Sequence, residues 1–124
     1  MRLSFKALIS TALVVGMAGM LSQSASAADP YGTWKRPKNG AHIKVYRCGG
    51  GLGMKVLSSP NKKTVGKHMM CGAKKSGGKW HGTLHSPEDG NNYSGTISLT
   101  GSGKLKLTGC ALSIFCKTEY WRRM

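Results

Sequence analysis

Few groups in this sequence stand at spacings that could carry chemistry. His81 and His85 form an H-x-x-x-H pair, the spacing at which a helix would present two imidazoles to one metal ion. They lie, however, in KWHGTLH, where Trp80, Gly82 and Leu84 alternate with His81, Thr83 and His85, the two-residue period of a strand. Four residues along a strand span about 13 Å, too far for a shared ion. Glu88 and Asp89 could serve as an acid–base pair, yet they sit between Pro87 and Gly90, in a composition that makes a turn. Asp89 and Gly90 therefore read as structural. No G-x-S-x-G elbow occurs, and no acid is placed to orient a histidine. The glycines at 49–51 and 53 lack the Lys-Ser/Thr ending of a phosphate loop and precede a strand, so they read as a bend. The expectation is a chain that is not an enzyme and holds no metal or cofactor.

Cysteines and lysines are the two remaining chemical signals. Cys48, Cys71, Cys110 and Cys116 are not spaced as the close C-x-x-C pairs of a structural zinc site, and an exported chain would meet them with an oxidising compartment. Two disulfides are expected. Three pairings exist; Cys48 with Cys71 and Cys110 with Cys116 are favoured because each closes a local loop. The chain carries 19 Lys and Arg against 4 Asp and Glu, a net charge of +15. Lys35, Arg36 and Lys38, then Lys62, Lys63 and Lys67, then Lys74, Lys75 and Lys79 form three clusters at loops and strand ends. A soluble, edge-protecting surface explains them. The sharper alternative is attraction to an anionic envelope component such as lipid headgroups, lipopolysaccharide or acidic polysaccharide, through Lys62, Lys63, Lys67, Lys74 and Lys75. Nucleic acid is disfavoured, because the aromatics stand at strand positions and are not interleaved with the basic residues.

The elements that must position these groups begin after a leader. Arg2 and Lys6 precede an apolar run from Ala7 to Met20 that is too short to span a bilayer, and Ala25-Ser26-Ala27 supplies a small-x-small cleavage pattern. Residues 1–27 thus read as a signal peptide cleaved after Ala27, and residues 28–124 as a single periplasmic or secreted domain with no transmembrane segment. Without Arg2 and Lys6 the net charge of +15 falls by two, to +13.

The domain is organised around Lys79 to Thr100, a hairpin whose second arm places Tyr93, Gly95, Ile97 and Leu99 on one face. Before it come strands from Tyr31 to Arg36, Ala41 to Cys48 and Leu52 to Ser58, and a mobile loop at Ser59 to Lys63. A fourth strand over Lys67 to Ala73 is interrupted by Met69-Met70, which breaks the alternation and admits a turn of helix; Lys74 to Gly78 reads as a basic turn. After the hairpin, Lys104 to Cys110 alternates again. Ala111 to Cys116 reads as an apolar covering loop tied by its cysteines, and Lys117 to Arg123 is the last strand. Seven or eight short strands with tight turns predict an all-β, antiparallel up-and-down barrel.

Gly32-Thr33-Trp34, Cys48-Gly49-Gly50, Trp80 with Gly82, Pro87-Glu88-Asp89-Gly90 with Tyr93, and Gly109-Cys110 followed by Cys116 and Trp121-Arg122-Arg123 together resemble the bacterial exported domain of unknown function 2147 family. The resemblance spans the chain after the leader. It implies a small lipocalin-like barrel and carries no assigned activity. The family often has a second Cys five residues after the first; here that position is Gly53 and Cys71 comes later. The Gly-x-Trp opening is similar to that of lipocalins, in which a Trp plugs one end beneath a basic side chain. Trp34 with Arg122 or Arg123 are the structural candidates here. A binding protein for a small apolar or amphipathic ligand is the expected function, with Trp80, Leu84, Tyr93, Ile97, Leu99 and Leu105 as cavity candidates. A lysine-rich envelope interaction protein is the alternative.

Overall fold

The computed structural model describes residues 29–124, so the expected signal peptide lies outside the described residues. Eight strands run β1 (Gly32–Lys35), β2 (His42–Cys48), β3 (Gly51–Ser58), β4 (His68–Ser76), β5 (Lys79–His85), β6 (Asn92–Leu99), β7 (Lys104–Ala111) and β8 (Phe115–Arg123). Each pairs antiparallel with its sequence neighbour, and β1 also pairs with β8, closing an up-and-down barrel. Alternation drives this arrangement. Ile43 and Val45, Trp80 and Leu84, Leu105 and Leu107 all point inward and are buried, while the intervening Lys, Thr and His residues face out.

The closure seam is the thinnest part of the wall. β7 and β8 pair continuously from Lys104–Arg122 to Ala111–Phe115, whereas β1 meets β8 at Trp34–Arg123 and Lys35–Arg122. Side chains reinforce both ends of that short seam. At one end Arg123 lies 4.4 Å from the Trp34 ring centroid and donates to the backbone oxygens of Asp29, Tyr31 and Ser102. At the other, Arg36 forms a two-pronged pair with Glu119, both N–O distances 2.7 Å.

The two disulfides are Cys48–Cys71 and Cys110–Cys116. The first ties β2 to β4 across the intervening β3. Gly53 sits against this bridge: a Cβ there would fall 2.5 Å from the Cys48 Cβ. The position that often carries cysteine in the resembled family is thus beside Cys48, and here the partner reaches in from β4 instead.

Three expectations need correction. Met69-Met70 is not a helical turn; it is a register shift in β4, and both side chains are buried because the extra residue lets two neighbours face the core. The helical turn is a short 3-10 segment at Lys62–Thr64, in the loop. Lys74 to Ser76 extend β4, leaving Gly77 and Gly78 to make the turn. Ala111 to Cys116 is not a cover: Leu112 and Ile114 are 83% and 72% exposed at a projecting hairpin tip.

Candidate functional site

The barrel core is filled in its middle by Trp34, Trp121, Ile43, Leu52, Met54, Ile97 and Leu105, all essentially inaccessible. Space opens toward the end where the β1–β2, β5–β6 and β7–β8 turns meet. There a cavity of about 430 Å³ has Met69, Leu84, Leu107 and Trp121 as its apolar floor, and Arg36, Lys38, Glu88, Asp89, Lys117 and Glu119 around its rim.

A row of glycines hollows this side of the barrel. Gly82, Gly95 and Gly109 are cross-strand neighbours on β5, β6 and β7. Strand parity puts all three on the inner face. A Cβ on Gly82 would meet Ala73 at 3.0 Å, and one on Gly95 would meet the Met70 Cε at 2.7 Å. Those two hollows are therefore filled by side chains of β4, the strand next to β5. At Gly109 the nearest atom is the Leu84 Cδ2 at 3.2 Å, and beyond it the hollow continues into the cavity that Gly109 lines.

Polar groups at the rim are held by one another. Arg36 binds Glu119 and also donates to Glu88 at 2.9 Å, while the Trp121 indole N–H donates to Glu119 at 2.9 Å. Burial pushes the Glu119 carboxyl up, but the Arg36 and Trp121 hydrogen bonds, with the charges of Arg36 and Lys38, outweigh it and hold the group below the ordinary carboxylate value. The Arg36 guanidinium is held more firmly protonated, chiefly by its hydrogen bond to Glu119. Asp89 accepts from the Asn91 backbone N–H and the Tyr93 hydroxyl, both at 2.8 Å; the two bonds lower its pKa, and the second raises that of Tyr93. With Gly90 at φ +75°, Asp89 shapes the β5–β6 turn over the rim.

Of the residues expected to line a ligand cavity, Leu84 and Tyr93 do so. Ile97 and Leu105 belong to the filled core, Leu99 packs against it, and Trp80 borders a second recess at the opposite end, with Tyr31, Arg47, Lys74 and Lys75. The lysines divide likewise. Lys62, Lys63 and Lys67 are on the β3–β4 connection at the mouth end, and Lys74 and Lys75 approach the opposite end, so they form no single patch. Arg123, not Arg122, covers Trp34. His81 and His85 bond to Thr96 and Asn92 respectively, and among the described residues no cluster of His, Cys, Asp or Glu is arranged for a metal. Sequence reasoning missed Arg36, Glu119 and Gly109 as site residues and read Glu88 as a turn residue alone. The inward parity of Gly82, Gly95 and Gly109 was the available signal.

Comparison with known proteins bears on the fold. The family described as "Uncharacterized protein conserved in bacteria (DUF2147)" matches residues 32–123. The chain belongs to the DUF2147 family. That match covers all eight strands, from the first residue of β1 to the last of β8. Among solved structures, this DUF2147 chain is similar to protein HP1028 of Helicobacter pylori, described as belonging to the lipocalin family, with a TM-score of 0.61. Identity is 15% over 78% of this chain and 84% of that one, so the likeness concerns the fold. No curated protein matches the sequence. The DUF2147 barrel here is lipocalin-like, and its two disulfides are those of a protein that folds outside a reducing cytoplasm.

Proposed function

We propose that this protein is a periplasmic or secreted binding protein, not an enzyme, and that the barrel mouth takes up a small apolar or amphipathic molecule. The observation that carries this reading is the mouth cavity. Its volume of about 430 Å³ lies in the range of small-molecule sites, roughly 300–1,000 Å³. Its floor is apolar and its charged groups are confined to the rim, where Arg36 is already matched by two carboxylates. Such a site receives an apolar body inward and leaves any polar end at the opening, beside Lys38 and Lys117. The fold likeness to a lipocalin-family protein supports the reading at the level of architecture.

Titration with the apolar fluorophore N-phenyl-1-naphthylamine tests it. Saturable binding is expected, nearly independent of salt because the contact is apolar. Ala111→Trp, which adds a ring at the half-buried edge of the cavity, should weaken binding by about tenfold or more through steric exclusion. Lys74→Glu with Lys75→Glu, at the opposite end, should leave it unchanged. Binding that survives Ala111→Trp, or that collapses as salt rises, would overturn the proposal.

A further inference from the structure

The most exposed large apolar side chains lie at the tip of the β7–β8 hairpin. Leu112, Ile114 and Phe115 are 83%, 72% and 65% exposed. Tips of this kind normally carry Asn, Asp or Gly, since Leu112 and Ser113 both take left-handed backbone angles, φ +55° and +65°. The Ile114 N–H donates to the Ala111 carbonyl across this turn, and Cys110–Cys116 closes its base. The chain therefore holds Leu112 outward in a backbone conformation that disfavours it, with Ile114 exposed beside it; neither borders the adjacent cavity, whereas Phe115 does.

The same end of the barrel carries further apolar and basic groups. Leu57 and Val65, 40% and 44% exposed, stand on the β3–β4 side of the mouth, which the strand order sets across the barrel from β7–β8. Exposed Lys62, Lys63 and Lys67 lie around Val65, and exposed Lys117 follows the tip. Among the described residues every ion pair involves Arg36, so none of these lysines is in one. A second copy of the chain offers them little negative charge: Glu88 and Glu119 hold Arg36, Asp89 is occupied in its turn, and Asp29 lies at the other end. A convex tip of three side chains also falls short of the roughly 800 Å² per partner of a stable protein interface.

We propose that the mouth end docks on a bilayer carrying anionic lipid headgroups. Leu112, Ile114 and Phe115 enter the boundary between headgroups and acyl chains, and Lys62, Lys63, Lys67 and Lys117 rest on the lipid phosphates. Docking in this pose sets the cavity opening against the membrane, with Phe115 and Lys117 shared between the docking tip and the cavity wall.

Co-sedimentation of the disulfide-bonded protein (residues 28–124) with mixed phosphatidylglycerol–phosphatidylcholine vesicles tests the proposal. Binding to the mixed vesicles is expected to exceed that to phosphatidylcholine alone and to decline with salt. Leu112→Ser with Ile114→Ser and Phe115→Ser should lower the partition coefficient by about 100-fold, with the circular dichroism spectrum unchanged. Lys62→Glu with Lys63→Glu should lower it by about tenfold and flatten the salt dependence. In Phe115→Trp, with Trp34, Trp80 and Trp121 present as the background, added emission should be quenched by brominated acyl chains. Undiminished vesicle binding by the serine variant would overturn the proposal, as would an unquenched Trp at position 115. So would a wild-type dimer in sedimentation equilibrium that the serine variant abolishes, because the tip would then be a self-contact.

Discussion

The two ends of the barrel use the same pair of side-chain types, arginine and tryptophan, to different effect. At the plugged end Arg123 lies on Trp34, and its N–H groups are taken by carbonyls of the incoming chain and the β6–β7 turn. The Trp34 indole N–H is satisfied by the Pro30 carbonyl. Among the described residues no buried side-chain polar atom is left without a partner, and Trp34 plugs the barrel beside the shallow recess that Trp80 borders. At the mouth, Arg36 is matched by Glu119 and Glu88, and Trp121 donates to Glu119. There the network forms a ring around a cavity and leaves the Trp121 face as its floor. Backbone acceptors seal one end, and side-chain acceptors frame the other. The difference follows from what the neighbouring chain can offer: an extended N-terminal segment with backbone carbonyls at one end, and at the other a carboxylate from β8, Glu119, with one from the β5–β6 turn, Glu88.

Substitutions that break this contrast should rank by how much of the wall each end holds. Trp34→Ala removes the fully buried plug and should cost about 4 kcal/mol of stability, read by chemical denaturation. Removing Cys48–Cys71 with paired alanines should cost about 3 kcal/mol. Its loop spans a sequence separation of 23 and it joins strands that are not neighbours, whereas Cys110–Cys116, with a separation of 6, links residues already paired in β7 and β8. Removing the latter should therefore cost less, about 2 kcal/mol or below.

Glu119→Gln should cost about 2 kcal/mol, because it leaves the Arg36 charge part-buried beside a neutral partner. Its pH dependence has a definite sign. A free glutamate titrates near 4.5, and in the folded protein Glu119 is held lower, so the pair contributes fully above that pH. The contribution is lost as the pH falls through the lower, folded-state value. Urea denaturation at stepped acidic pH should show the wild-type advantage over Glu119→Gln shrinking below about pH 4.5 and not changing between neutral pH and that point.

Most of the wall was legible because strand alternation is a local property. Trp80, Gly82 and Leu84 opposite Tyr93, Gly95 and Ile97 announce their inward face within a few residues, and the pairing registers follow. Met69-Met70 misled because a bulge is set by the partner strand: two consecutive inward residues violate the period that sequence reading relies on. The site was less legible for a related reason. Arg36 and Glu119 are 83 residues apart in sequence and meet only because β1 closes on β8. The glycine row becomes a hollow only when β5, β6 and β7 are in register. Alternation told which side chains face in, but not that Ile97 and Leu105 fill the middle while Leu84 and Leu107 are left beside open space. That depends on the volumes contributed from across the barrel by Met54, Met70 and Trp34. The hairpin tip was read as a cover because apolar residues ordinarily seek burial; the left-handed turn at Leu112 and Ser113 turns them outward.

The three tryptophans mark the regions whose roles differ: Trp121 floors the mouth cavity, Trp34 plugs the barrel and Trp80 borders the opposite recess. Titration with dodecanoate, followed through the three indole N–H resonances in ¹⁵N-labelled protein, tests the assignment of the mouth as the binding end most directly. The Trp121 resonance should shift progressively and saturate while those of Trp34 and Trp80 stay in place. A saturable shift confined to Trp80, or three resonances that remain still at saturating dodecanoate, would contradict it.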